Sequence, residues 1–365
     1  MIERVQMKRI LVWGLSNNRA GTERVIESYI EATDTNKACF DFLCYEFPTN
    51  YSHLFPSEGL NRVFVIPMKI KHPISNWFAL KRFMKKHAHE YEAVWFNAND
   101  ISNIDILIYA NRYGIKRRIL HSHNADMPDK WITRLFTKLN TSKLDKVVTD
   151  RWACSEQAGK FMFEKNTFKI VPNTVPAEKF VFDIGRRQKI RERLGIENCF
   201  VVGTVGRLVG QKNQKYLIEI LPDLRRLNSD IMMLVIGNGE LRQELNNHAK
   251  RLGVSDIFRI VDSQDDIASY LSAFDCFAFP SLYEGLPIAL LEAQYNNVPC
   301  VISENIPANA IISNNVRKVS LDDKRGWCEA VIGSQRQSNS LIPSLSKNYD
   351  SRILPKIAEE LFELN

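Results

Sequence analysis

Short apolar runs alternate with amphipathic stretches along most of this 365-residue chain. In the first half, ILVWG (10–14), CFDFLCY (39–45), RVFVIP (62–67), AVWFN (93–97), RRILHS (117–122), RWACS (151–155) and FKIVP (168–172) have the length and β-branched or aromatic content of strands. Helical spacing of apolar residues lies between most of them, at Thr22–Ala32, Ile74–His89, Ile101–Tyr113 and Lys130–Lys143. The second half restarts the pattern with FVVGTVG (200–206), IMMLVIG (231–237), IFRIV (257–261), CFAFP (276–280) and PCVIS (299–303). Each is followed by a helical stretch, and a last helix is predicted at Ser351–Leu364 after a polar segment at 335–350. Strand–helix alternation predicts parallel, doubly wound sheets. Between the halves, VPNTVPAEKFVFDIGRRQKIRERLG (171–195) breaks the rhythm with two prolines and a charged helix. The reading is an α/β chain of two Rossmann-like domains facing across a cleft. The domains are 1–175 and 199–345, joined by a linker at 176–198, and the C-terminal helix of 346–365 is expected to pack back on the first domain.

Composition narrows the class. Apolar content of 45% and charged content of 25% are those of a globular protein. No apolar stretch approaches the roughly 18 residues of a membrane span. The N-terminus runs past Glu3 straight into a strand and does not read as a signal peptide. Seven scattered cysteines form no C-x-x-C pair and lie mostly in apolar runs, as buried reduced thiols of a cytoplasmic protein do. No His/Cys cluster has zinc spacing, so no metal site is expected. The net charge of +7 is uneven: residues 1–180 carry 27 Lys and Arg against 19 Asp and Glu, residues 181–365 carry 22 against 23. The basic excess belongs to the first half.

Candidate chemistry gathers at strand-to-helix turns, where open α/β sheets bind ligands. In VGTVGRLVGQKN, Gly203 and Gly206 bracket the end of a strand, and Arg207 and Lys212 follow. Small residues let backbone amides approach an anion; Arg207 can fork onto phosphate oxygens while Lys212 acts as a point charge. A surface Arg and Lys around a tight turn is the plainer alternative. The turn IGNGELRQEL repeats the arrangement with Gly237, Asn238 and Gly239. In FPSLYEGLPIALLEAQY, Glu284 precedes Gly285, Leu286 and Pro287, and Glu292 follows inside an apolar helix. Eight residues of continuous helix would rise about 12 Å, too far for an acid/base pair working on one glycosidic bond. The two carboxylates read instead as acceptors for different hydroxyls of one elongated ligand. Cations for phosphates beside carboxylates for hydroxyls suit a sugar nucleotide.

The run from Val201 through Ser303 resembles the nucleotide-binding domain of retaining glycosyltransferase family 4, which has the GT-B fold. The matching pieces are GRLVGQKN, IGNGELRQEL, DIASYLSAFDCFAFPSLYEGLP and the pair Glu284/Glu292 in E-x(7)-E spacing. The resemblance implies that Arg207 and Lys212 bind the donor diphosphate, that Glu284 contacts the transferred hexose and that Glu292 holds the ribose. It extends to the first half. SNNRAGTERVIESY (16–29) resembles the family's glycine-containing loop, with Gly21 alone where relatives often carry two glycines. HSHNAD (121–126) resembles the segment whose histidine contacts the donor sugar, a role implied for His123 with His121 as the alternative, and PNTV (172–175) resembles a PNGV-type hinge. The overall pattern is similar to bacterial enzymes of capsule and exopolysaccharide synthesis.

Between Pro67 and His89 there are six Lys or Arg, three His and no acid. On a helical wheel Lys81, Arg82, Lys85 and Lys86 share an arc around Phe78, opposite Trp77, Leu80, Phe83 and Met84. Two readings stand: a core-packed helix with a solvated cationic face, or a helix attracted to anionic lipid. No nucleic-acid module is recognisable.

The resemblance therefore implies a metal-independent, retaining glycosyltransferase. It would need no cofactor and would use a nucleotide-diphosphate sugar as co-substrate, with UDP favoured and GDP-mannose open. The transferred group would be a hexose or N-acetylhexosamine, and the acceptor a saccharide or a lipid-linked saccharide. The expected location is cytoplasmic and peripheral on the inner face of the cell membrane. A sugar-nucleotide epimerase of the same architecture and a non-catalytic nucleotide-sugar-binding scaffold are the alternatives.

Overall fold

The computed structural model describes residues 7–17, 21–55, 60–123, 131–164, 166–336 and 349–364. The chain divides into two compact units, Met1–Thr174 with Ser351–Asn365, and Val175–Asp350.

The first unit is built on a seven-stranded sheet. Its strands are β1 (Lys8–Trp13), β2 (Ala38–Cys44), β3 (Val63–Val65), β4 (Ala93–Ala98), β5 (Arg117–Ser122), β6 (Asp150–Ala153) and β7 (Lys169–Ile170), in the order β3-β2-β1-β4-β5-β6-β7. Every pairing is parallel. Strands β2 and β4 are buried along their whole length, which accounts for their mostly apolar sequences, and the buried Asp41 of β2 is answered by Arg9 and Arg62. The helix Leu354–Phe362 belongs to this unit. Phe362 stacks edge-on against Phe40, Trp95 and Trp152, and Lys37 pairs with Glu359 at 2.5 Å. Burying one such phenyl ring contributes about 2–3 kcal/mol.

The second unit carries β8 (Phe200–Val205), β9 (Ile231–Ile236), β10 (Phe258–Val261), β11 (Cys276–Phe279), β12 (Cys300–Ser303) and β13 (Val316–Val319), again all parallel, in the order β10-β9-β8-β11-β12-β13. This is the doubly wound order, in which successive connections reverse direction between β8 and β11. Strand β13 had no counterpart among the expected runs. It is a short edge strand whose Arg317 and Lys318 face solvent, so it lacks the apolar signature while its charges keep the edge from pairing. Leu217, Leu221, Met233, Val235 and Trp327 fill one side of the sheet.

The segment 176–198, expected as a linker, holds two helices, Ala177–Phe180 and Ile184–Leu194. Asp183 caps the longer one through the Arg186 amide and Gly195 ends it in the left-handed region. Arg187 and Arg191 of that helix both pair with Asp275, whose carboxylate also accepts from the Val201 amide. All seven cysteines are free, six buried and Cys199 partly exposed. Burial pushes the Cys44 and Cys276 thiols up to about 12.

Candidate functional site

The reversal point between β8 and β11 is where the second unit collects its polar side chains. Beyond β8, the Gly206 amide donates to the Ile236 carbonyl at 3.0 Å and the Leu208 amide to the Asn238 carbonyl at 2.9 Å, lacing the loop after β8 to the loop after β9. That contact dictates the glycines. A Cβ on Gly237 would stand 2.0 Å from the Gly206 carbonyl oxygen, and one on Gly239 would stand 2.4 Å from that of Leu208. The Gly-x-Gly sequence is thus a steric condition for two loops to touch, whatever else they bind. Asn238 itself is exposed.

Residues Gly210–Lys212 form a single 3-10 turn, and Asn213, at φ 50° in the left-handed region, leads into the helix Gln214–Leu227. Three hydrogen bonds tie this turn to the loop after β11. The Leu282 amide donates to the Gln211 carbonyl at 2.9 Å, the Gln211 side-chain amide to the Tyr283 carbonyl at 2.9 Å, and Asn213 Nδ2 to the Pro280 carbonyl at 3.3 Å. Gln214 Nε2 donates to the Arg207 carbonyl at 2.8 Å. On this stitched frame Lys212 Nζ donates to Glu284 Oε1 at 2.5 Å and lies 5.1 Å from the centroid of the Phe279 ring. Glu284 is 8% exposed, so its charge is largely withdrawn from water and answered by the ammonium. The Arg207 guanidinium is exposed and makes no hydrogen bond or ion pair with any described residue. An anion arriving at the end of β8 therefore meets one uncommitted cation and one already shared.

Gly285, Leu286 and Pro287 are buried between Glu284 and the helix Ile288–Tyr295, which starts directly after Pro287. Glu292 lies on the second turn of that helix at 2% exposure. Glu284 thus precedes the helix and Glu292 is inside it.

In the first unit, His123 directly follows β5. Its Nε2 lies 2.9 Å from Asn97 Oδ1. The Asn97 amide nitrogen points toward the Trp13 carbonyl at 3.3 Å, which leaves Oδ1 as the acceptor and puts the imidazole proton on Nε2. Burial pulls the His123 pKa down to about 3, and Nδ1 is buried without a hydrogen-bond partner. His121 is wholly inside the sheet, stacked on Trp95 and edge-on to Trp152, with its ring centroid 4.1 Å from that of His123. Burial first, and then the neighbouring His123, hold its pKa well below the ordinary 6.5. Both imidazoles are neutral at physiological pH. Of the two, His123 alone presents surface, so it is the one able to contact a ligand.

Gly21 is exposed and begins the helix Gly21–Glu31; residues 18–20 of the glycine-containing loop, and 124–126 of HSHNAD, lie outside the described residues. The glycine that geometry demands here is Gly14, with φ 112° and an added Cβ only 2.7 Å from the Asn97 carbonyl oxygen. Gly14 and Asn97 end β1 and β4, the reversal point of the first sheet. Neither was singled out from sequence. The available signal was a polar residue closing the apolar strand AVWFN. Among the described residues, the one group with metal-ligand proximity is Glu27, Glu31 and His53, on and beside the helix Gly21–Glu31, where His53 Nε2 sits 2.8 Å from Glu27. No helix among the described residues is long and apolar enough to cross a membrane.

Residues 186–333, most of the second unit, match the family model described as glycosyl transferases group 1. The chain is 28% identical over 309 residues to a putative glycosyltransferase, EpsF, of Bacillus subtilis, covering 82% of this chain and 80% of that protein. It is 28% identical over 231 residues to an Escherichia coli UDP-Gal:alpha-D-GlcNAc-diphosphoundecaprenol alpha-1,3-galactosyltransferase, covering 62% of this chain and 58% of the relative's length. In structure it is similar to Anabaena HepE, crystallised with UDP and glucose, at a TM-score of 0.75 and 18% identity over 98% of this chain and all of that one. The two doubly wound parallel-sheet units are those of GT-B glycosyltransferases, as the sequence led one to expect.

Proposed function

We propose that this chain is a retaining, metal-independent glycosyltransferase of family 4. It moves a hexose or N-acetylhexosamine from a nucleotide-diphosphate sugar, UDP-linked in first choice, to a saccharide or lipid-linked saccharide in surface polysaccharide synthesis. The observation that carries this reading is the Lys212–Glu284 pair beside the uncommitted Arg207, at the reversal point of a sheet inside the region that matches the group 1 model. A diphosphate offers Arg207 a bidentate partner and competes with Glu284 for Lys212. Once Lys212 turns to phosphate, Glu284 is left as an acceptor for a hexose hydroxyl. Glu292 holds the ribose, and the amides of 285–288 and the loops of Gly206 and Gly237–Gly239 meet phosphate and sugar. Gly21 and His123 contribute from the first unit. Burial leaves His123 a weak base, and a donor phosphate oxygen takes the acceptor proton as the C–O bond forms on the face the diphosphate leaves. Fixed cations stabilise the developing negative charge, the task a metal performs elsewhere.

Three features of relatives support the chemistry: a name specifying UDP-galactose and a diphosphoundecaprenol acceptor, a solved fold holding UDP and glucose, and a capsular polysaccharide glycosyltransferase of Staphylococcus aureus. The protein works in the cytoplasm, peripherally on the inner face of the cell membrane, with residues 67–89 toward anionic lipid. The test is a thermal-shift screen against UDP- and GDP-sugars, followed by transfer assays with the stabilising donor in the presence of EDTA and assignment of the product anomer. Stabilisation by one donor and an anomer matching that donor are expected. An inverted product, turnover abolished by EDTA, or isomerised donor formed without acceptor would overturn the proposal.

A further inference from the structure

The helix Trp131–Val147 is inside-out over its first turns. It buries Thr137 and Asn140 and turns Trp131, Ile132, Leu135, Phe136 and Leu139 to solvent, Trp131 at 72% exposure. Five large apolar side chains at positions i, i+1, i+4, i+5 and i+8 make one stripe about two and a half turns long. Monomeric proteins rarely leave such a stripe uncovered.

A second exposed apolar group stands nearby. Ile70 is 92% exposed and Ile74 72%, and Trp77 and Phe78, packed edge to face at 4.7 Å, are also outside. Trp77 was expected on the core arc of its helix, found at Pro73–His87, but the structure gives that place to Asn76, whose Nδ2 donates to the Pro67 carbonyl at 2.7 Å. Trp77 instead lies under Lys81, Nζ being 4.9 Å from its ring. Both groups are fastened to the same segment. Lys69 Nζ donates to Asn103 and Asp105, and Asn140 Nδ2 donates to the Ile101 and Ser102 carbonyls. Within the two segments the charge has one sign: no Asp or Glu occurs in 67–89 or 131–144, whereas Lys71, Arg82, Lys85, Lys86, Arg134 and Lys138 do.

We infer that the helix Trp131–Val147 and the segment from Met68 to His87 form one membrane-docking face, the apolar stripe entering the headgroup boundary and the cations meeting anionic lipid. A second copy presenting the same face would be repelled by its charge, whereas an anionic bilayer matches both features. Both helices follow strands, β3 and β5, so their first turns belong to the C-terminal edge of the sheet on which Gly14, Asn97 and His123 end. This rests on the peripheral-membrane part of the proposed function and deepens it: the acceptor entering at that edge is lipid-linked.

The test is co-sedimentation of the full chain with vesicles of phosphatidylglycerol and phosphatidylcholine, against phosphatidylcholine alone, with tryptophan emission read in parallel. Partition should favour the anionic vesicles, with a blue shift diminished in Trp131→Ser and lost when Trp77→Ser is added. The triple variant Trp131→Ser, Leu135→Ser, Phe136→Ser should bind at least about tenfold more weakly. Replacing Arg82, Lys85 and Lys86 by Gln should weaken binding by about fivefold per charge. The variants should keep the wild-type melting temperature and donor-induced thermal shift, a readout separate from vesicle binding. Equal partition to neutral vesicles, undiminished binding of the triple variant, or a concentration-dependent dimer that the triple variant abolishes would overturn the inference.

Discussion

Lys212 Nζ sits 2.5 Å from Glu284 Oε1, joining residues 72 positions apart in the turns that follow β8 and β11, the strands at the reversal point of the second sheet. The pair has a structural role and a proposed chemical one, and substitution separates them. Lys212→Met leaves a largely buried carboxylate without its cation and should destabilise the protein by about 1–3 kcal/mol. Adding Glu284→Gln removes the stranded charge and should recover at least half of that loss. Thermal unfolding measures both. Turnover should stay low in the double variant, and its return with stability would mean the pair serves the fold alone.

Gly237→Ala places a methyl group against the Gly206 carbonyl, a backbone atom that cannot swing aside. The expected cost is about 2–4 kcal/mol and a melting temperature lower by several degrees, because the loops after β8 and β9 must separate. An unchanged melting curve would show that these loops are not held as described.

The two buried histidines set a pH dependence. Folded, His123 titrates at about 3 and His121 well below 6.5; unfolded, both return to the ordinary value. Between about pH 3 and 6.5 the unfolded chain therefore binds more protons, and stability must fall as pH falls through that window. Comparing unfolding at about pH 7.5 and about pH 5, His123→Gln should show a smaller acid loss than wild type, by up to about 2 kcal/mol. Identical acid sensitivity would contradict neutral burial of this ring. The same neutrality predicts a turnover profile with no histidine inflection between about pH 5 and 8.

Arg336 anchors the end of the domain. Its guanidinium donates to the Leu271 and Phe274 carbonyls and to both oxygens of Asn296, and stacks over Phe182 at 4.5 Å. Burial draws its pKa down to about 9. Arg336→Ala should cost about 3 kcal/mol by orphaning those carbonyls, and Arg336→Lys should not rescue it, because an ammonium lacks the planar fork. Rescue by lysine, measured by melting temperature, would show that charge rather than geometry matters.

The strands were most legible where burial on both faces leaves an unbroken apolar run, as at β9, expected at 231–237 and found at Ile231–Ile236. Strand β13 was not, because an edge strand with outward Arg317 and Lys318 carries no such run. Glu284 and Lys212 were legible one by one through the turns they occupy. Their direct contact was not, since a pairing across 72 residues depends on which strands become neighbours. Helical periodicity placed the helix at 131–147 within a few residues but not its orientation. A wheel assumes that the apolar arc faces the core, and here Asn140 does, because the carbonyls of Ile101 and Ser102 need its amide. Trp77 and Asn76 exchange places for the same reason. Asn97 and Gly14 went unnoticed because their meaning lies in a backbone approach between two strands.

The most direct measurement is sugar transfer by Lys212→Ala, assayed with the donor that stabilises the wild-type protein and at a temperature where circular dichroism shows the variant folded. If Lys212 stabilises the departing diphosphate, the rate falls at least about 100-fold. A folded variant turning over at close to the wild-type rate would contradict the account.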